Sequence, residues 1–385
     1  MDGFWMLVKY EYKKLLQRKI VCATMLVLIV MSVLISVIGY FSGNYVIDGK
    51  EVSVYDAHKM SVEEEREQTG SVLDDMFFAR MRAQGDEYSI ANGIWNILFE
   101  VEGKLDVVPE DADTFYSMRE NQMKMKFDEA FLTSEEQKEL MCIDEATEIP
   151  IVYEYAGGWS ESSVNLILVA IMQVILIAVS IPAIFSDEHS RRTDQIVLCT
   201  DRGRGPLYLA KMFTGLTYCL IATLILSICS IVPTLFVSGT DGFGAPLQVA
   251  YPLLPWRMTV GEGMVVMLFM MLLASVLYAS FAMVMAEKSR SNVAPMAVMV
   301  GFMLICLIAN VPEKFLFLAK IWALMPGKVL SLPGGDDGFI GLRLFHVMGE
   351  SLMTWQMAAV VWGMISAVLL SIGYRWYKNY QVTGR

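Results

Sequence analysis

Six long stretches of this chain contain no Asp, Glu, Lys, Arg or His, and this limits its possible folds more than any other feature. The hydrocarbon core of a membrane is about 30 Å thick, and roughly 20 apolar residues in a helix cross it. Helices buried in soluble domains rarely stay apolar for so long. We therefore predict an all-α integral membrane protein with six spans. The predicted spans are residues 20–41, 163–185, 212–237, 264–286, 292–311 and 356–374.

The composition agrees with a membrane protein whose acidic residues are concentrated in one region. Of the 385 residues, 55% are hydrophobic and 18% are charged, whereas soluble domains are about one quarter charged. Residues 42–161 contain 28 acidic and 10 basic residues, while the rest of the chain contains 13 acidic and 20 basic residues. We interpret the acidic excess as a solvated surface, although it could also attract a cationic substrate.

The cysteines and histidines indicate neither a disulfide framework nor a zinc site. Only Cys142, among six cysteines, lies in the acidic region, so no internal cross-link is expected there. The three histidines, His58, His189 and His346, are far apart in the sequence. The first span is also longer than the roughly 7–15 apolar residues of a secretory signal, so we predict that it is retained.

Basic residues predict the orientation of the spans, because cytoplasmic loops carry an excess of Lys and Arg. The N-terminal segment, the loops after the second and fourth spans and the C-terminal segment (375–385) together contain 15 Lys and Arg. The short loops on the other side contain five. Both termini are therefore predicted to be cytoplasmic, and residues 42–162 extracellular.

The segment before the first span has the pattern of an amphipathic helix. Apolar residues, including Tyr12, recur at helical spacing through residues 3–16, while Lys9 and Lys13 lie on another face. Trp5 adds an aromatic ring of the kind that lies at the level of lipid headgroups. We predict a cytoplasmic interfacial elbow helix within residues 1–19. The alternative is a basic flank without such a helix.

The extracellular region between the first two spans is predicted to be mainly helical. Residues 61–82 are rich in helix-forming side chains, and Thr133 and Glu136 have the spacing of a capping box. Residues 46–54 predict a short hairpin, because an Asp-Gly pair separates their two halves. The second long extracellular segment, 312–355, is too polar to be a span, and we predict short helices that enter the outer leaflet.

The cytoplasmic loop between the second and third spans, residues 186–211, combines several signals. Charged residues come first, a short amphipathic pattern and a Gly-rich break follow, and a new helical pattern ends the loop. A small helix held below the membrane is suited to dock into a groove of a partner protein. An ordinary charged turn is the alternative interpretation.

This loop resembles the hallmark of the ABC type-2 permeases, which are membrane subunits of ABC exporters with the type V exporter fold. The hallmark reads Phe-x-x-Glu-x-x-x-x-Thr-x-x-x-Leu-Leu, followed by a short x-Ser-Arg stretch and a Leu-x-x-x-Lys helix. The matching residues are Phe185, Glu188, Thr193, Val197 and Leu198, then Arg202, Arg204 and 207–211.

Two further segments extend the resemblance along the chain. Residues 7–16 are similar to the opening of the elbow helix in that family. The long domain between the first two spans, ending in residues 155–159, is similar to that of the subgroup that includes the sodium-efflux permeases.

The resemblance implies that residues 187–198 form a coupling helix, seated in a cleft of a separate ABC ATPase subunit. Two ATPase subunits and two permeases, identical or homologous, would form the exporter in a bacterial plasma membrane. ATP and Mg²⁺ would be bound by the ATPase, with no cofactor in this chain and no nucleic-acid partner. The implied ATPase-coupling residues are Phe185, Asp187, Glu188, Arg191, Arg192, Thr193, Ile196 and Leu198.

The residues themselves also indicate that energy must come from a partner. A P-loop reads Gly-x-x-x-x-Gly-Lys-Ser/Thr, and none of the Gly-Lys pairs in this chain is followed by Ser or Thr; Gly327-Lys328, for example, is followed by Val329. Ion-coupled carriers usually keep ionisable residues inside their spans, and the predicted spans contain none. We therefore expect a transporter permease rather than an enzyme.

A membrane-embedded enzyme and a peptide-sensing module are the two alternatives to an exporter. A membrane-embedded enzyme needs titratable side chains at membrane depth, whereas the predicted spans offer only groups such as the amide of Gln173. An ABC-type peptide-sensing or resistance module, in which the extracellular domain binds a peptide, has the same parts as an exporter and stays open. The sequence does not indicate whether the substrate is a peptide, drug, lipid or ion.

Overall fold

The computed structural model describes residues 2–47, 49–84, 92–103, 109–190, 204–312, 314–331, 338–347 and 349–379. Helices dominate these residues. The helices are α1 (Asp2–Leu16), α2 (Lys19–Val37), α3 (Val54–Glu67), α4 (Asp75–Gln84), α5 (Asn92–Glu102), α6 (Ala112–Glu129), α7 (Ser134–Glu145), α8 (Gly157–Ser180), α9 (Pro182–Ser190), α10 (Gly205–Ser238), α11 (Leu247–Ala250), α12 (Val260–Ser289), α13 (Val293–Ile308), α14 (Leu316–Ala323), α15 (Pro326–Val329) and α16 (Thr354–Asn379). The strands are β1 (Asn44–Ile47), β2 (Lys50–Ser53), β3 (Leu344–Val347) and β4 (Glu350–Met353).

Five of the helical segments are long and apolar enough to cross a membrane, as in a multi-pass membrane protein. They are Lys19–Phe41, Gly157–Glu188, Gly205–Ser238, Val260–Ser289 and Thr354–Asn379, with lengths of 23, 32, 34, 30 and 26 residues. At 1.5 Å per residue, even the shortest of them is about 34 Å long. These segments coincide with the first four predicted spans and the sixth.

The predicted fifth span, 292–311, forms a shorter helix than expected. Helix α13 has 16 residues, which makes it about 24 Å long and shorter than the hydrocarbon core. It ends at Ile308, and Ala309 is already extended with φ −83° and ψ 132°. Pro312 follows closely, and a proline disfavours helical backbone at the residue before it. By length and composition, five segments of the described residues qualify as spans, and the predicted span at 292–311 is not confirmed.

Helix α8 lies at the centre of the bundle. It packs against α2, α10, α12 and α13. In its most apolar 18-residue stretch 72% of the residues are buried within the protein, against 22% in α2 and in α16. The outer helices therefore keep apolar faces available for lipid.

Helix α1 forms where the elbow helix is predicted, and it packs against α10. Its last residue, Leu16, is followed by a two-residue link to α2. Its position at a membrane surface stays a prediction.

The inter-span domain, residues 42–156, contains α3 to α7 and the β1–β2 hairpin. The hairpin confirms the one predicted at 46–54, with Ile47 opposite Lys50. The capping box is also confirmed, because the Thr133 amide donates to Glu136 Oε2 at 2.9 Å and the Glu136 amide donates to Thr133 Oγ1 at 3.3 Å.

Contacts of Arg119 and Lys320 connect the inter-span domain to the rest of the protein. Arg119 donates to both carboxylate oxygens of Asp144, at 2.7 and 2.8 Å, and to the carbonyl oxygen of Pro252 at 2.7 Å. Lys320 donates to Glu136 Oε1 at 2.5 Å. Burial raises the pKa of Glu136, but the bonds from Lys320 and Thr133 outweigh it and leave the pKa below its usual value.

The segment 312–355 contains the short helices that its sequence predicts, α14 and α15, and one feature that we did not predict. Strands β3 and β4 form an antiparallel hairpin with Val347 opposite Glu350. Gly349 has a φ of +92° in the turn, a value that glycine adopts readily.

Candidate functional site

Six charged residues form an ion cluster at the end of the bundle remote from the inter-span domain. Three helices place them there. Helix α9 begins at Pro182 and carries two of the acids, α10 begins near Pro206 and carries a lysine in its second turn, and α1 carries one acid and one lysine. An arginine follows α1 in the link to α2. The members are Glu11, Lys14, Arg18, Asp187, Glu188 and Lys211.

Lys211 is the centre of the ion cluster and is fully buried, with an exposed side-chain fraction of 0%. Its Nζ donates to Glu188 Oε1 at 2.7 Å and to the carbonyl oxygen of Ile184 at 2.7 Å, and Glu11 Oε2 lies 3.5 Å away. The same ammonium lies over the ring of Phe185, 5.5 Å from its centroid. A buried ammonium requires partners of this kind, because desolvation without them costs several kcal/mol.

Lys14 connects helix α1 to the same carboxylates. Its Nζ lies 3.1 Å from Glu188 Oε1 and 3.5 Å from Glu11 Oε2. Burial lowers the pKa of Lys14, but the charges of Glu11 and Glu188 outweigh that effect and raise it above its ordinary value. Lys14 therefore keeps its charge under physiological conditions, and Glu188 joins α1 to α10.

Two polar contacts extend the ion cluster to the starts of α2 and α13. The Arg18 guanidinium pairs with Asp187, which is 4% exposed. The Ser186 hydroxyl donates to the side-chain oxygen of Asn292. Helix α9 is therefore connected to four of the helices around it, since Glu188 also contacts α1 and α10.

Among the residues that the structure describes, the ion cluster contains three carboxylates and three cations. Such a group contributes little net stability compared with apolar residues, but removing one member leaves a buried charge without compensation and costs about 3–5 kcal/mol. The cluster thus fixes the relative positions of the three helices.

An aromatic cluster lies beside the charges. The ring centroids of Phe185 and Tyr208 are 5.5 Å apart, and those of Tyr208 and Tyr377 are 5.4 Å apart. These rings join α9, α10 and the last turn of α16. Gly373 permits the contact, because a Cβ at this position would collide with the Tyr208 hydroxyl.

The predicted coupling residues fall partly on the ion cluster and partly outside the described residues. Phe185, Asp187 and Glu188 lie in α9, where they are buried or half-buried and face α1, α10 and α16. The others lie outside the residues that the structure describes, and they are Arg191, Arg192, Thr193, Ile196 and Leu198.

The predicted elbow residues of α1 are two aromatic side chains that contact α10 and two exposed lysines. The ring of Trp5 packs edge-on against Phe213, and the Tyr12 hydroxyl lies 2.5 Å from Thr217 Oγ1. Lys9 and Lys13 are exposed. The role of these four residues at a membrane surface stays a prediction.

Sequence reasoning missed the pairing inside the ion cluster. Lys14, Arg18 and Lys211 counted there as indicators of orientation, and Glu11, Lys14 and Lys211 also as parts of segments that resemble the family, but none was expected to form an ion pair. The sequence does show acidic and basic residues near the ends of several spans. Which of them pair with each other can be known only once the arrangement of the helices is known.

A second polar cluster lies at the other end of the bundle, beside the inter-span domain. Glu161 Oε2 accepts hydrogen bonds from the Tyr40 hydroxyl at 2.7 Å and from Ser238 Oγ at 2.5 Å. His58 Nε2 lies 3.0 Å from Ser238 Oγ. This cluster connects the ends of α2, α8 and α10 with α3. Ser238 is 0% exposed, so its hydroxyl is enclosed within this cluster.

Comparison with known protein families, with curated proteins and with solved structures found no match. The geometry of the site must therefore carry the functional argument. Within the described ranges, no group of three or more His, Cys, Asp and Glu residues is placed to hold a metal ion.

Proposed function

We propose that this chain is the transmembrane permease subunit of an ABC exporter, driven by ATP hydrolysis in a separate subunit. The observation that carries the proposal is the ion cluster, because it lies directly beside the loop that resembles a coupling helix. Glu188 lies at the start of that loop, residues 186–211, and Lys211 at its end, and the two side chains are paired at 2.7 Å.

The pairing gives the loop a mechanical connection to three helices. A force applied to residues 191–203 acts on α9 and α10 together, because Glu188 and Lys211 join them. It also acts on α1, because Lys14 pairs with Glu188. A partner that pushes this loop therefore displaces α1, α9 and α10 together. Coupling of ATP hydrolysis to transport requires such a joint movement of helices.

The remaining parts of the proposal rest on the resemblance and on the charge pattern. Two copies of the permease, or this chain with a homologous one, bind two ATPase subunits that hold ATP and Mg²⁺. Both termini and the ion cluster face the cytoplasm, and the inter-span domain lies outside the cell. Helix α13 and the α14–α15 segment together form the crossing between α12 and α16, which brings the total number of crossings to six.

A site-specific cross-linking experiment tests this function. A photo-crosslinking amino acid is introduced at Ile196, and at Glu129 as the control, which is exposed on α6 of the inter-span domain. Illumination of native membranes should join the Ile196 variant to a protein that contains a P-loop. The Glu129 variant should give no such product, because its side lacks the cytoplasmic ATPase.

Transport provides the second measurement. Vesicles that contain both subunits should accumulate substrate only with ATP, and deletion of 193–198 should abolish accumulation while the chain still inserts in the membrane. The proposal is wrong if the P-loop protein is cross-linked from Glu129 instead of Ile196. It is also wrong if the deletion leaves ATP-dependent transport unchanged.

A further inference from the structure

A cleft of about 340 Å³ lies where the inter-span domain meets the segment between α10 and α12. One wall is formed by residues 147–152 and the other by parts of 244–262. The volume lies within the range of about 300–1,000 Å³ that is typical of ligand sites. The cleft is far from the ion cluster, at the opposite end of the bundle.

Both walls of the cleft are held in place. Arg119 bridges them, since it binds Asp144 on the domain side and the Pro252 carbonyl oxygen on the other. The second wall is braced internally, with the Leu247 amide donating to the Met258 carbonyl oxygen at 2.9 Å. A site whose walls are fixed before binding loses less conformational entropy when a ligand enters.

The domain wall offers a free strand edge to the cleft. The Leu73 amide donates to the Ile151 carbonyl oxygen at 3.0 Å, and the Tyr153 amide donates to the Ser71 carbonyl oxygen at 2.8 Å. Val152 lies between these bonds, so its own N–H and C=O point the other way, and no described residue bonds to them. Val152 is 46% exposed and lines the cleft. A free edge of this kind pairs with an extended peptide backbone.

The opposite wall carries one basic and one acidic side chain. The Arg257 side chain is exposed and lines the cleft, and it forms no ion pair with any residue that the structure describes. Glu262 also lines this wall, where its Oε2 accepts a hydrogen bond from the Thr259 amide at 2.8 Å. Met258 beside Arg257 adds an apolar surface. Arginine binds carboxylates through two parallel hydrogen bonds. The cleft therefore combines a backbone edge, an apolar patch and a carboxylate-binding group.

We propose that this cleft binds a short extended peptide, with its backbone paired to Val152 and its terminal carboxylate bound by Arg257. Glu148 lies on the rim near Val152 and favours a positively charged amino group at the other end of the peptide. Binding requires neither ATP nor a partner subunit. The proposal therefore stands or fails separately from the proposed export function.

The experiment measures peptide affinity with the purified full-length chain in lipid nanodiscs. The probe is the tetrapeptide Ala-Val-Ile-Val with a free carboxylate, and its comparison forms are the C-terminal amide and a version with N-methylated backbone amides. The free acid should bind the native chain roughly ten-fold or more tightly than the amide, as a charge-assisted hydrogen bond would give. N-methylation should weaken binding as well, because it removes donors to the strand edge.

Variants assign the effect to the cleft. Arg257→Gln should reduce the affinity for the free acid to that for the amide, while binding of the amide stays the same. Arg80→Gln is the matched control, because Arg80 is exposed on α4, away from the cleft residues. Unfolding temperatures verify that both variants are folded. The proposal is overturned if no form binds at millimolar concentration, or if Arg257→Gln and Arg80→Gln affect the free acid equally.

Discussion

Lys211 of α10 and Glu188 of α9 lie near opposite ends of the segment that joins the two helices, and their side chains meet at 2.7 Å. The lysine is fully buried and the carboxylate is 14% exposed. Because Lys14 binds the same carboxylate oxygen, one glutamate fixes the ends of three helices. This relationship fixes the start of α10 against α9 and α1.

Lys211→Met is expected to destabilise the protein strongly. The substitution leaves Glu188 and Glu11 in the interior with one cation fewer, which costs about 3–5 kcal/mol. Thermal unfolding of the purified chain, followed by tryptophan fluorescence, should show a lower Tm. The control is Lys124→Met, because Lys124 pairs with Glu120 on the surface and such pairs contribute at most about 1 kcal/mol.

The double variant Lys211→Met with Glu188→Gln distinguishes lost charge balance from lost packing. Removing both charges relieves the uncompensated carboxylate, so the double variant should regain part of the Tm lost by Lys211→Met alone. The Tm of the single variant Glu188→Gln is also measured. If the Tm losses of the two single variants simply add in the double variant, the two residues are not coupled and the ion cluster is wrongly assigned.

Arg119→Met is expected to weaken the attachment of the inter-span domain to the segment that follows α11 and contains Pro252. The side chain is 4% exposed; two hydrogen bonds to Asp144 hold it within the domain, and a third crosses the junction to the Pro252 carbonyl oxygen. Hydrogen exchange of the amides at 247–258 should become faster in the variant. Arg66→Met is the control, since its pair with Asp241 is largely exposed, and it should leave exchange at 247–258 unchanged. Equal exchange in both variants would contradict the bridging role of Arg119.

Glu102 should make the stability of the inter-span domain depend on pH. Burial raises the pKa of its carboxyl group to about 7, against an ordinary value of 4.5. Because the folded-state pKa is raised, the stabilising contribution is present below pH 4.5 and is lost as the pH rises through about 7.

Glu102→Gln should therefore raise the Tm at pH 8 and leave it almost unchanged at pH 4.5, since the neutral amide replaces a carboxyl group that is charged only at high pH. Thermal unfolding across this pH range is the measurement, and Glu129→Gln on the surface of α6 is the control. A Tm difference between Glu102→Gln and the native chain that is independent of pH would refute the assignment.

Gly158→Ala is expected to disrupt the crossing of α8 and α10. A Cβ at Gly158 would collide with the carbonyl oxygen of Gly239, where α10 ends, and overpacking of this kind costs about 1–3 kcal/mol or more. Gly363→Ala is the control within α16, because a Cβ there meets nothing within 4 Å. The control should be neutral or stabilising by up to about 1 kcal/mol, the helix propensity difference. Folded yield and Tm measure both effects.

The parts of the fold that could be predicted depend on local signals. A long charge-free stretch identifies a possible span without knowledge of its neighbours, and the Asp-Gly pair that precedes Lys50 identifies a hairpin. The Thr133 and Glu136 spacing identifies the start of α7. Each of these features is determined by fewer than 30 consecutive residues, so the tertiary structure does not have to be known.

The parts that could not be predicted depend on contacts between distant residues. Lys14 and Glu188 are 174 positions apart, and nothing in either local pattern selects the other as its partner. The length of α13 was overestimated because an apolar run continued to 311 after the helix itself ended at Ile308. Hydrophobicity indicates where a chain can enter lipid, and hydrogen bonding decides where its helix stops.

The ion cluster also dictates an order of events during biosynthesis. Arg18 leaves the ribosome 169 residues before its partner Asp187. The complete ion cluster can form only after translation has passed Lys211. The basic residues at the start of α2 therefore remain without Asp187 and Glu188 until the middle of the chain has been synthesised.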